Sequence, residues 1–138
     1  MSERPSVALL LPPYARSLGI QIVPGEGSAP LLRLEFAEKV QGRPGYLHGG
    51  AISGLLEMAA IAALRAELAD RAPGVRLKPV NVTVEFMRGG VEEVGPAYAR
   101  GRVARAGRRI ANVAAEAWQD DPAKPIATAW MNVLLSES

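Results

Sequence analysis

Residues 51–70 read AISGLLEMAAIAALRAELAD and form the one convincing long helix in the sequence. Seven Ala lie between 51 and 69, joined by Leu55, Leu56, Met58 and Leu64, all strong helix formers. No proline interrupts the segment, and Pro73-Gly74 stop it. Its first half is apolar nearly all round, as in a helix buried on most sides.

Downstream, the period changes from 3.6 to two. Val80, Val82, Val84 and Phe86 alternate with Asn81, Thr83, Glu85 and Met87, and Gly89-Gly90 end that strand. Tyr98 to Ala104 reads as a second strand, with a turn at Ala106-Gly107. Ala111, Val113, Ala115 and Ala117 share one face of a third. Ala127, Ala129, Met131, Val133 and Leu135 share one face of a fourth, after a turn at Asp120-Asp121-Pro122. Upstream, Leu32, Leu34 and Phe36 read as a strand, preceded by a turn at Gly25, Gly27 and Pro30. Residues 6–18 read as a short helical or irregular arm broken by Pro12 and Pro13. Successive strands with short turns imply an antiparallel sheet. One buried helix plus five to six strands gives an α+β fold whose sheet curls around the helix.

The chain has 138 residues, the size of one domain, and no linker divides it. Hydrophobic residues at 49% and charged residues at 22% exclude a disordered function. With no Cys and one His, disulfides, thiolate nucleophiles and two-His metal motifs are excluded. The net charge is only +2, from 13 Arg and 3 Lys against 14 acids. Arg100, Arg102, Arg105, Arg108 and Arg109 form the densest basic stretch, but few aromatics interleave with them as stacking platforms. Nucleic acid is therefore not expected as a partner. No apolar run reaches the roughly 18 residues of a membrane span. The start, MSERPSVALLLPPYA, lacks the apolar core and cleavage site of a signal peptide. The expectation is a cytoplasmic protein without membrane contact.

Between His48 and Arg65 the only ionisable side chain is Glu57, among small and apolar neighbours. A lone buried carboxylate is costly unless paired. Either its face opens to solvent at a gap in the packing, or the residue is kept for chemistry. Before the helix stands Gly45-Tyr46-Leu47-His48-Gly49-Gly50. Glycines at a helix start allow close approach to the backbone. The first N–H groups there lack internal acceptors and the dipole is positive, so the position suits an oxyanion. The plainer alternative is a glycine turn with His48 as a cap or packing residue.

The joint pattern is G-x-P-G-x-x-H-G-G, then Glu57 nine residues after His48 on a buried helix, then strands only. It resembles the PaaI-like acyl-CoA thioesterases of the hotdog superfamily over roughly residues 14–135. Val82 to Arg88 is similar to that family's strand ending in Phe-Leu-Arg-Pro. The Gly101-Arg102-Val103 and Gly107-Arg108-Arg109 segments are similar to its strand–turn corner. The resemblance implies a hotdog fold, homodimers that join their sheets and pair further into homotetramers, and an acyl-CoA substrate. It places Glu57 at the catalytic acid, Gly49 at the N–H that polarises the thioester carbonyl, and His48 as the motif His that shapes the loop. A Glu at the acid position resembles a branch acting on aromatic acyl-CoAs. Relatives often carry Asn or Gln six residues before the motif His. That position is Gly42 here, with Gln41 beside it.

Gly50, Ser53, Gln41, Asn81 and Arg88 complete the candidate substrate contacts. Ser53 shares the Glu57 face at i−4; it either bonds the carboxylate or substrate or merely allows close packing. Asn81 and Arg88 each read equally as plain surface residues. Neither role assigned to Glu57 and Gly49 needs a metal, and no cofactor is expected. Gly49 and Glu57 lie about 12 Å apart along the helix and roughly 80° around it. One carbonyl must touch both at about 3 Å. Pairing Gly49 of one chain with Glu57 of its partner removes the difficulty. The competing readings are a non-catalytic acyl-CoA or lipid-binding hotdog protein and, lower, a dehydratase on the same fold.

Overall fold

The computed structural model describes residues 11–24 and 29–137. Helix α1 spans Pro13–Leu18, followed by β1 (Ile20–Val23) and β2 (Leu31–Leu34). Helix α2 spans Gly49–Glu67, and then come β3 (Arg76–Phe86), β4 (Ala97–Ala106), β5 (Ile110–Trp118) and β6 (Ala127–Ser136). The strands form one antiparallel sheet in the order β1-β2-β4-β5-β6-β3. The chain adopts the expected α+β architecture, one long central helix with an antiparallel sheet of six strands that does not close on itself.

Small residues let the helix sit close. Ala97, Ala99 and Gly101 of β4 face it, and all three are buried. A Cβ on Gly101 would lie 2.5 Å from the Ala59 carbonyl oxygen. Around this contact Leu55, Leu56 and Leu64 of α2 pack with Leu32, Leu34, Val113, Met131 and Val133 in a fully buried core. Each such side chain contributes roughly 1.5–3 kcal/mol on leaving water. Arg65 Nη1 donates to the Val75 carbonyl at 2.6 Å and ties the end of α2 to the approach to β3. Partial burial lowers its guanidinium pKa from the ordinary value.

Four expectations need correction. Helix α2 begins at Gly49 and ends at Glu67, earlier at both ends than residues 51–70. Pro13 does not break the arm: it occupies the first turn of α1, where a missing N–H costs nothing, and Gly19 at φ 85° ends that helix. Residues 6–10 of the expected arm lie outside the described residues, as do Gly25 and Gly27 of the expected turn. Phe36 lies beyond β2, because the chain turns into a short 3₁₀ segment at Glu38–Val40. Finally, α2 is long and apolar enough by length and composition to cross a membrane, since Glu57 and Arg65 are tolerated within such a window. In this fold 61% of that window is buried against protein.

Strand β3 is a sheet edge that extends past the helix. Val82, Val84 and Phe86 pair with the helix-facing Met131, Ala129 and Ala127 of β6, yet Phe86 remains 54% exposed. The register shifts between Pro79 and Asn81, so Val80 is a bulge residue and not a fourth member of that row. On the opposite face, Asn112 Nδ2 donates to Asn132 Oδ1 at 2.5 Å, and Asn132 Nδ2 donates to Asn81 Oδ1 at 2.8 Å. Trp118 stacks on Tyr98 on that face, and Trp130 is exposed there.

Candidate active site

The loop before α2 is held by backbone bonds on two sides. His48 N–H donates to the Val40 carbonyl at 2.8 Å, and Leu47 N–H to the Gly90 carbonyl at 2.9 Å. Glu92 N–H donates to the Gly45 carbonyl at 2.9 Å. The segment after β3 therefore lies along the motif loop and brings exposed Arg88 to its rim, a proximity that sequence spacing does not reveal. Gln41 is a brace here: its Oε1 accepts from Gly45 N–H at 2.9 Å.

His48 is the N-cap of α2, with extended backbone at φ −68° and ψ 139°. Its Nδ1 accepts from Gly50 N–H at 2.8 Å, so that nitrogen carries no proton and the ring hydrogen sits on Nε2. Ala51 and Ile52 N–H both donate to the His48 carbonyl. Of the first four N–H groups of α2, only that of Gly49 finds no acceptor among the described residues. The plain and the functional readings of His-Gly-Gly thus coexist: the His caps the helix, and capping leaves one donor free. Gly50 is constrained by the cap, since a Cβ there would lie 3.0 Å from His48 Nδ1. His48→Ala should lower stability by about 1 kcal/mol, read from denaturant midpoints, while His48→Asn should retain most of it.

Glu57 is partly exposed on the open strip of α2 that also carries Gly50, Ser53 and Ile61. Neither the Glu57 carboxylate nor the Ser53 hydroxyl has a hydrogen-bond or ionic partner among the described residues. The carboxylate is therefore free to meet a ligand. Phe86 is not singled out by the sequence reading, yet its ring covers Gly49, with Cζ 3.5 Å from where a Cβ would stand. A large aromatic at the end of an edge strand is the signal that could have marked it. Asn81 is not brought to this place. It lies on the sheet face away from α2, with its Oδ1 taken by Asn132. Glu57, Ser53, Gly49, Gly50 and His48 lie on or cap one helix, with Phe86 over Gly49 and Arg88 at the loop rim.

The acyl-CoA thioesterase N-terminal domain family matches residues 40–132, from just before Gln41 into β6. No curated protein sequence matches the chain. Among solved structures, a protein from Chromobacterium violaceum is 31% identical, covering 90% of this chain and 83% of that one with a TM-score of 0.71. A phenylacetic acid degradation-related protein from Ralstonia eutropha JMP134 is 25% identical, covering 91% of both chains with a TM-score of 0.73. A thioesterase from Haemophilus influenzae shares the fold at 17% identity and a TM-score of 0.76, covering 90% of this chain and 82% of that one. The family match spans the capped loop, the acid-bearing helix, three of the six strands and part of a fourth, and the chain belongs to the acyl-CoA thioesterase family.

Proposed function

We propose that this protein hydrolyses an acyl-CoA thioester to the free acid and coenzyme A, in a site shared between two copies of the chain. The observation that carries the reading is the pair of unspent groups on one helix: the Gly49 N–H and the Glu57 carboxylate. The N–H at a helix start stabilises negative charge growing on the thioester oxygen. The carboxylate acts on the carbonyl carbon directly, or takes a proton from water as the water oxygen attacks. The carbon–sulfur bond then breaks and the coenzyme A thiolate leaves, taking up a proton; where the carboxylate has attacked directly, water then hydrolyses the mixed anhydride left on Glu57, freeing the acid and restoring the carboxylate.

Within one chain the two groups are about 12 Å apart along the helix. In a homodimer, Gly49 of one protomer serves with Glu57 of its partner. The open edge of β3, with Phe86 reaching from it to Gly49, supports an interface beside the site. Homotetramers follow from family likeness alone. A second reading, acyl-CoA binding without turnover, is favoured by Gln41, whose amide oxygen is committed to Gly45 and not to a substrate.

A thiol-release assay over an acyl-CoA panel separates the two. Turnover supports hydrolysis, whereas binding without thiol release supports the second reading. The shared site has its own test. Gly49→Pro removes the donor at a position where proline suits the helix start, after a His48 backbone already extended as a residue before proline requires. Gly49→Pro and Glu57→Gln should each be inactive, and refolding them together should restore activity in mixed dimers. Mixed dimers that form but stay inactive would contradict the shared site.

A further inference from the structure

Gly54 is the one glycine inside α2 beyond its first turn. A helix-interior glycine costs roughly 0.5–1 kcal/mol relative to alanine, so its presence asks for a reason. The reason is α1. A Cβ on Gly54 would lie 2.8 Å from Tyr14 Oη and 2.9 Å from Leu18 Cδ1. The short helix rests on bare backbone at this point, and its fully buried Ala15 pins it there.

The place matters because Gly54 precedes Glu57 by one turn and lies about 60° from it around the axis. Long helical side chains lean toward the N-terminus, so the Glu57 carboxylate tilts toward this same turn. Leu18 is partly buried, but Tyr14 is 50% exposed and its hydroxyl bonds no described residue. An aromatic ring on a pinned support therefore flanks the open strip of Gly50, Ser53, Glu57 and Ile61.

We propose that Tyr14 is a specificity-determining residue: its ring bounds the open α2 strip that carries Glu57 and limits the length of acyl chain that reaches the carboxylate. The inference rests on the thioesterase reading and adds to it the residue that selects among substrates. A wall acts by volume, and one methylene too many in a closed pocket changes kcat/KM by about tenfold or more.

The test is kcat/KM across straight-chain acyl-CoAs from acetyl to palmitoyl, for the wild type and for Tyr14→Ala, Tyr14→Phe and Leu18→Ala. Tyr14→Ala should move the optimum to longer chains and raise the long-to-short ratio at least about tenfold. Tyr14→Phe should keep the wild-type profile, because it keeps the ring. Leu18→Ala should lower thermal stability yet leave the profile unchanged. An unchanged profile in Tyr14→Ala overturns the inference, and so does an equal shift in Leu18→Ala. A wild type that hydrolyses only aromatic acyl-CoAs keeps the thioesterase reading and overturns this inference, whereas one that releases thiol from no acyl-CoA, straight-chain or aromatic, overturns that reading and this inference with it.

Discussion

Glu57→Gln is expected to leave the fold intact and to lower thioester turnover by roughly 10²–10⁴-fold, the contribution typical of a positioned acid–base group. The fold should survive because Glu57 makes no contact that glutamine would break. It is partly exposed, with no hydrogen-bond or ionic partner among the described residues. Glutamine has nearly the same shape and the same helix propensity. What it lacks is a lone pair basic enough to take a proton from water, or charged enough to attack the carbonyl. The measurement is thiol release at saturating substrate, beside circular dichroism and thermal unfolding of the same sample. Near-normal turnover in a folded variant would remove Glu57 from the chemistry.

Gly101→Ala is expected to destabilise the fold more than alanine at any other glycine among the described residues. The new Cβ would meet the Ala59 carbonyl oxygen at 2.5 Å, Ala63 Cβ at 2.8 Å and Ala60 Cα at 2.9 Å. None of these atoms belongs to a side chain that can rotate away. The helix must lift off β4, or β4 must bow outward, and either movement opens the core around Leu55 and Leu56. Overpacking of this kind typically costs about 1–3 kcal/mol and more where backbone must move. Domains of ordinary stability hold only about 5–15 kcal/mol in total. Gly74→Ala is the control, because no atom lies within 4 Å of its would-be Cβ. Urea unfolding should show a large fall in midpoint for Gly101→Ala and almost none for Gly74→Ala. Equal midpoints for the two variants would mean that the helix–sheet contact is softer than its geometry implies.

The elements legible in the sequence are those with enough residues to display a period. Helix α2 is evident from unbroken helix formers, and β5 and β6 from long alternating rows. Strand β1, Ile20–Val23, has four residues and offers two repeats, too few to stand out. Proline misleads at α1 because the residue that breaks a helix interior also suits its first turn. The site divides in the same way. Glu57 and His-Gly-Gly are visible because an acid in an apolar run and paired glycines at a helix start are locally unusual. The cap formed by His48 depends on which ring nitrogen faces Gly50, and composition does not reveal that. Phe86, Arg88 and Tyr14 come near through sheet pairing and helix docking, which spacing along one chain cannot express. Gly54 is the one local trace of the Tyr14 contact.

The bulge at Val80 leaves β3 with one residue more than its ladder with β6 uses. Upstream of it, Leu77 and Pro79 oppose Leu135 and Val133; downstream, Val82, Val84 and Phe86 oppose Met131, Ala129 and Ala127. All these partners face the helix, so the inward row occupies odd positions before Val80 and even positions after it. Val80 is where the strand changes parity. Loss of that residue would set Pro79 and Asn81 side by side opposite the adjacent Val133 and Asn132, so the two halves would share one alternation with both apolar rows still inward. The Asn112–Asn132–Asn81 chain would keep its last link, because Asn81 would still oppose Asn132. Over evolutionary time this strand can shed the Val80 codon without a matching change, whereas a codon gained or lost elsewhere within it shifts part of an apolar row to the outer face.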